Sequence, residues 1–539
     1  MKVRQLQVAF LLSLILVTIK PPVAQGSIWT SPVLSPAELG TIAGWELVDS
    51  FYASGESVSR ILQRSSAADP VQKKEAQWRL CSLPGQEPCT TPEGDYSGSL
   101  LLPHCESLTQ EWCIETLKVG SRTGSLTSGK FLRQVEGRTT PSVKNLGFPA
   151  GSTISLWEVP GAVHGGGNSN YAAYVNIRIS KGVNQPAQVT RLNATILPYT
   201  EITGVSARSG RSYTSPTVSE QVDSEGNYRV TYTTGSAECA WMEPGRCGLV
   251  EEFPSNISAS LTIRVSKKIT GWLMGRLAQP EIRIRPFNSD QNTLEVIGEA
   301  VDVPQFFAYE AAEKLTPQMK KTFEVDGFIE ENPRGLRGAQ THDSLAFDVV
   351  KAWQDVVSNE AAGVVSTWSF ATTNNGSGSK CLKSERELLG LVTTNSMVYE
   401  GIAPSFSGGF INYKVAGMHF NPDKSIFKGS YDLLIRKTTA RCLYGLKDVP
   451  MSATVTVASD GIENRIETSS LVEFGQGADT WVKVSARDFT FSAPLLKVKI
   501  SPSKSTSPSP SKSILCIKGK TTQKVTGTSP KCPSGFKKK

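Results

Sequence analysis

Ile257, Ala259, Leu261, Ile263 and Val265 alternate with Ser258, Ser260, Thr262 and Arg264 without a break. A period of two places one face of a strand in a core and the other in solvent. The same pattern recurs in Val175, Ile177 and Ile179, in Ala453, Val455 and Val457, and in Leu496, Val498 and Ile500. The intervals between these runs are rich in Gly, Ser, Thr, Asn and Pro. Parallel sheets need crossover helices there, so the pattern predicts a mainly β chain of two antiparallel β-sandwich-like parts with few short helices.

Two helices are expected. Ser35-Pro36-Ala37-Glu38 is a capping box with proline at the first helical position. From Ser344 to Ser358, Leu345, Val349, Trp353 and Val357 recur every four residues with Val350 and Val356 beside them, the stripe of a helix packed on a core. The stripe follows the polar, Gly- and Pro-containing stretch Asp326 to His342, so 326–360 is read as linker and helix between the two parts. A disulfide-containing N-terminal region over 27–135, a first sandwich-like domain over 136–325 and a second over 361–500 complete the body. Residues 501–513 contain only Ser, Pro, Lys and Thr, an extended linker with nothing to bury. Beyond it, 514–539 forms a small module. Ile514–Ile517 and Gln523–Thr526 are placed to pair as a hairpin, and Cys532 to return to Cys516, since so short a piece holds no core alone.

The hydrophobic pattern also marks the N-terminus. Lys2 and Arg4 precede the apolar run Val8 to Ile19, which Lys20-Pro21-Pro22 ends. The run is shorter than the ~20 residues that span a bilayer. Ala24-Gln25-Gly26 offers small residues for a signal-peptidase site, so 1–26 reads as an export signal with the processed chain starting near Ser27. No other run approaches spanning length, and no transmembrane span is expected after processing.

Ten cysteines fit export to an oxidising compartment. Seven residues separate Cys81 from Cys89, Cys105 from Cys113 and Cys239 from Cys247, while Cys381 precedes Cys442 and Cys516 precedes Cys532. Sequential pairing is the simplest arrangement, with Cys89 to Cys105 an open alternative. Each short loop would contribute about 2 to 3 kcal/mol and the long one about 4 on a chain-entropy basis. The spacing lacks a zinc pattern, and no metal or other cofactor is expected.

Charge divides the chain unevenly. The total is 57 Lys and Arg against 49 Asp and Glu, a net +8. Lys2, Arg4 and Lys20 fall in the expected signal, and nine lysines with no acid lie beyond residue 500, which leaves an acidic body. A nucleic-acid partner would call for a basic folded face, so none is expected. Lys518, Lys520, Lys524, Lys531, Lys537, Lys538 and Lys539 form instead a basic arm suited to anionic wall polymers or lipid headgroups.

Catalytic patterns are scarce. His164-Gly165-Gly166-Gly167 matches an oxyanion-hole string, but no G-x-S-x-G nucleophile elbow accompanies it, so it reads as a glycine loop. Asn288, Asp290, Asn292 and Glu299 match four positions of a calcium loop, with Thr293 where the turn requires glycine. Glu324 to Glu331 is acidic and reads as a solvated loop. An even cysteine count argues against a catalytic thiol.

The run Ala440-Arg441-Cys442-Leu443-Tyr444-Gly445, followed by Pro450 to Val455 and by Phe489-Thr490-Phe491-Ser492, resembles a C-terminal region of secreted proteins of high-GC Gram-positive bacteria. The tail Cys516 to Lys539, with its C-x-KGK, KVT and PKCP-x-G-F-KKK strings, is similar to the ending of that uncharacterised family. Ser155-Leu156-Trp157 through Ala162, and His104-Cys105 through Cys113-Ile114-Glu115, resemble it as well. The resemblance implies secretion and a β-rich architecture, and no activity. The expectation is therefore a secreted or cell-surface, non-catalytic protein for binding, adhesion or envelope structure, held by its basic arm. An extracellular hydrolase acting on glycans is the alternative.

Overall fold

The computed structural model describes residues 34–49, 58–66, 77–91, 94–204, 218–222, 224, 226–232, 239–325, 328–373, 375–384, 386–446, 451–459, 462–466, 471–477, 479–491, 495–502, 512–519, 521–527 and 531–539. The expected export signal, most of the 501–513 linker and Lys520 lie outside them.

The chain is mainly β. Its centre is one long sheet whose strands run, in spatial order, Gln77–Cys81, Arg60–Ser66, Tyr96–Leu101, Asn170–Lys181, Gln188–Thr203, Gly363–Thr373, Gly271–Arg276, Leu388–Thr394, Gly429–Arg436, Asp479–Phe489 and Leu471–Gln476. A first flanking sheet has the order Ala278–Pro286, Gln291–Glu299, Ile257–Ser266, Cys113–Ser121 and Thr127–Ser128. A second contains Phe410–Ala416, Leu495–Pro502, Met451–Ser459 and Ile462–Ile466.

The central sheet is buried on both faces in its middle. Leu273, Leu391, Leu434 and Trp481 join Leu117, Leu261, Ile263 and Val296 of the first flanking sheet in one core. Trp272, Met274, Val392, Leu433, Ile435, Val482 and Val484 join Ile411, Tyr413, Val455, Leu496 and Val498 of the second in another. Every residue of Gly271–Arg276 and of Leu388–Thr394 is accordingly buried. These strands read GWLMGR and LLGLVTT, without alternation, as strands covered on both sides do.

The parts on either side of 326–360 are thus joined by hydrogen bonds. Gly363–Thr373 pairs with Val301–Ala311, Gln188–Thr203 and Gly271–Arg276, all from the other side of that stretch. The stretch itself supplies a strand, Gly335–Gln340, parallel to Ile42–Val48. Gly271–Arg276 and Leu388–Thr394 form a second parallel ladder among the antiparallel ones. Residues 27–135 do not stand apart either: Arg60–Ser66 and Tyr96–Leu101 are central, while Cys113–Ser121 lies in the first flanking sheet.

Both expected helices form. Ser35 and Glu38 make the reciprocal capping bonds, 2.7 Å from the Ser35 N–H to Glu38 Oε2 and 3.3 Å from the Glu38 N–H to Ser35 Oγ. The second helix, Ser344–Trp353, ends five residues sooner than its stripe. Ala346, Val349, Val350 and Trp353 are buried against Trp45, Leu47, Phe306 and Phe323. Lys437–Tyr444 is a further helix, stopped by Gly445 in a left-handed conformation at φ 62°. Cysteine pairing is sequential, Cys81–Cys89, Cys105–Cys113, Cys239–Cys247, Cys381–Cys442 and Cys516–Cys532. Among the described residues no helix is long and apolar enough to cross a membrane.

Where these layers meet, the fully buried Arg276 is satisfied by several segments at once. Its Nε donates to Asp49 Oδ2 at 2.6 Å, and Nη1 donates to the carbonyls of Thr394 and Ser396 at 3.2 and 2.5 Å. Its Nη2 donates to the Met397 carbonyl at 3.3 Å, and the guanidinium lies 4.2 Å from the Tyr399 ring centroid. Removing one partner leaves a charge buried without compensation. Asp49→Ala is expected to lower the unfolding free energy by about 3 to 5 kcal/mol in urea melts, whereas Asp49→Leu combined with Arg276→Met should cost far less.

Candidate functional site

The structure separates the candidate residues read from the sequence. Asn288 and Asp290 sit in a hairpin turn, where Asn288 Oδ1 accepts from the Asp290 and Gln291 N–H groups. Asn292 and Glu299 lie on the extended strand that follows, about 23 Å apart at 3.3 Å per residue, so the four do not converge on a calcium ion. Among the described residues no group of three or more His, Cys, Asp or Glu is placed to hold a metal.

The three glycines after His164 spend their N–H groups locally. Gly165 donates to the Glu252 carbonyl, Gly166 to His164 Nδ1 at 3.1 Å, and Gly167 to the His164 carbonyl at 2.9 Å. A loop with no free donor makes no oxyanion hole. His104 stacks on Phe131 at 4.2 Å and meets Trp157 edge-on. In the acidic stretch, Glu324–Val325 pairs with Phe328–Ile329, and Glu330 bonds Arg337.

The lysine arm folds as a hairpin of Lys512–Lys518 and Thr521–Gly527, with Lys537–Lys538 as a third strand. Cys516 is buried, and its bond to Cys532 brings the chain back beside it. Lys518, Lys531, Lys537, Lys538 and Lys539 are exposed. Lys524 faces Leu515 in the ladder.

A second feature was not legible in the sequence. Two adjoining troughs of about 640 Å³ and 820 Å³ share Arg122, Gln279 and Glu299, and run over the outer face of the first flanking sheet toward the 421–428 loop. Two local irregularities shape them. The ladder slips between Ala278 and Glu281, and Gln279, at φ 50°, turns its N–H out to Asp432 Oδ2 at 3.0 Å. Across from it, Asp488 at φ 59° bulges the strand beside Arg487. Bulges of this kind re-aim side chains and concentrate beside functional sites.

The trough is lined by Glu281, Glu295, Glu299, Asp302 and Asp423, of which Glu281, Glu295 and Glu299 are paired with bases. Glu295 accepts from Ser260 Oγ at 3.1 Å and pairs with Lys118 at 3.3 Å and Arg283 at 3.4 Å. Burial pushes its carboxyl up, but these partners outweigh burial and hold it below the usual range. Asp432 takes two bonds from Arg487 Nη2, at 2.7 and 2.8 Å, and one from Ser485 Oγ at 2.5 Å. Glu299 and Asp302 differ: burial raises both carboxyls above the usual range, and the paired Arg122 offsets this only in part for Glu299, as Ser366 does for Asp302. The cations reach outward, Arg122 being 51% and Arg283 55% exposed at the side chain against 9% for Glu299 and 5% for Glu295. Gln279, Asn395 and Asn421 add neutral groups to the walls. The result is a wide, charge-balanced array of donors and acceptors.

Burial lowers the His164 imidazole below its ordinary 6.5, and His104 and His342 shift the same way. An unfolded chain then binds more protons than the folded one as pH falls below about 6.5, and stability falls with it. His164→Gln removes one such proton site. The melting-temperature difference between wild type and this variant should narrow from pH 7.5 to pH 5, and a constant difference would show that His164 does not carry the effect.

Comparisons of the chain with protein-family models, with curated proteins and with solved structures found no match.

Proposed function

We propose that this is a non-catalytic, exported binding protein of the cell envelope, retained by its basic arm and presenting the trough to an uncharged polyhydroxylated ligand such as a wall glycan. The observation that carries the reading is the pairing of Glu295 and Glu299 with bases. Glycoside hydrolysis needs a proton-donating acid and a second carboxylate about 5 to 9.5 Å away. Glu295 and Glu299 stand about 13 Å apart along one strand. Asp432, whose charge acts on Glu299, is closed off by Arg487, Ser485 and the Gln279 N–H, and Asp302, which lines the same trough, accepts from Ser366. Paired charges with outward-reaching donors suit hydroxyl recognition, where each sugar oxygen both gives and accepts a bond. Five disulfides support an oxidising location.

One observation favours the hydrolase reading: Glu299 is raised, as a general acid is. Glu299→Gln decides between the two. The binding reading expects no release of reducing ends from wall glycan by either form, and measurable release that the variant loses would establish the hydrolase.

Retention and ligand binding should separate by salt. Raising NaCl from 50 mM to 500 mM should move the intact protein from the cell-bound to the medium fraction, and deleting 514–539 should do so at 50 mM. Pull-down on purified, uncharged wall glycan should persist at 500 mM and fall about tenfold in the Arg122→Ala, Asn395→Ala double variant. Partitioning indifferent to both salt and deletion would remove the arm from the account.

A further inference from the structure

We propose that the C-terminal hairpin docks on an anionic lipid bilayer through one face of its sheet, Leu515 and Ile517 entering the headgroup layer between lysines. This rests on the reading of the arm as the retention device, and adds its partner and its contact face.

The register supplies the face. Leu515 is opposite Lys524, and Ile517 is opposite Thr522 on one side and Lys537 on the other. Directly opposed residues share a face of a sheet. The Lys539 N–H donates to the Leu515 carbonyl at 2.8 Å, which sets the last lysine beside Leu515. The other face carries the staple, with Lys518 and Lys538 exposed around it. Cys516 is 0% exposed and bonded to Cys532, and the Lys518 ammonium lies 5.9 Å from the Phe536 ring centroid.

What stays open is Leu515, 44% exposed, with the half-buried Ile517 and lysine positions around them. A soluble polyanion is satisfied by the ammonium groups alone and gives an apolar pair nothing to bury in. An anionic bilayer satisfies both: attraction brings the lysines to the headgroups, and apolar side chains gain by leaving water at the acyl boundary.

The test uses the processed protein beginning at Ser27, with vesicles of phosphatidylcholine alone or with 30% phosphatidylglycerol, and beads carrying inorganic polyphosphate. Sedimentation with the anionic vesicles, and little with the neutral ones, is expected. Leu515→Ser with Ile517→Ser should lower vesicle binding about tenfold and leave bead capture unchanged, while Leu515→Trp should strengthen vesicle binding. Non-reducing peptide mapping of Cys516–Cys532 checks that each variant has closed. Bead capture without vesicle binding, or vesicle binding indifferent to both apolar changes, would overturn the bilayer assignment and leave the arm as a polyanion binder. Failure on both supports would overturn the retention reading itself.

Discussion

A cation with no exposed surface holds the layers of this molecule in place. Arg276 ends a central strand, and the carbonyls it binds, those of Thr394, Ser396 and Met397, lie at and just beyond the end of the neighbouring parallel strand. The Tyr399 ring beneath its guanidinium belongs to the short strand that opens the second flanking sheet, and Asp49 follows the N-terminal strand. One side chain therefore fixes the meeting point of three groups of strands. A buried guanidinium is tolerated only when its donors are satisfied, which restricts where each segment can lie. Hydrophobic contact sets no comparable restriction, since apolar faces slide over one another at lower cost than a charge is left unpaired.

The trough inherits its shape from that junction. Asn395 lies between two of the residues whose carbonyls bind Arg276, and its own amide spans to the next strand, accepting from the Ser430 N–H at 2.7 Å and donating to the Lys428 carbonyl at 3.2 Å. Asn395, Lys428 and Ser430 all line the trough. Its opposite wall comes from the bulged Gln279, three residues after Arg276. The interaction that anchors the core is thus within a few residues of both walls, and the proposed recognition surface stands largely on strands, with the 421–428 loop at one end.

Much of the β architecture was legible from the period-two runs, because those strands have one wet face or one covered by polar neighbours. Ile257 to Val265 is the clearest: its apolar set is buried, and Ser260, Thr262 and Arg264 on the other face are covered as well, by charged chains crossing the sheet. The sandwiching of one sheet between two others was not legible, because Gly271–Arg276 and Leu388–Thr394 are buried on both faces and carry no alternation. Arg276 was invisible for a related reason: an arginine at a strand end reads as surface until its partners, more than a hundred residues away along the chain, are placed. The trough draws on positions from Lys118 to Arg487, a set that no local spacing joins, and its bulges at Gln279 and Asp488 follow from pairing partners rather than from glycine or proline signals alone. The hairpin of the tail was legible because cysteine spacing and alternation act there over a short range.

Charge is distributed by the same logic. In the body, acids and bases are close in number and the trough pairs Glu295 and Glu299 with bases, so its surface offers direction without strong net attraction. The tail carries lysines without any acid, and a disulfide in place of a core. A module of that size needs the staple to hold a sheet at all, and once the Cys516 face is spent on the staple, the Leu515 face is left open. The proposed long-range attraction of the tail and the proposed short-range recognition by the body therefore rest on separate structural devices: a covalent bond closing a hairpin, and a buried ion pair closing a stack of sheets.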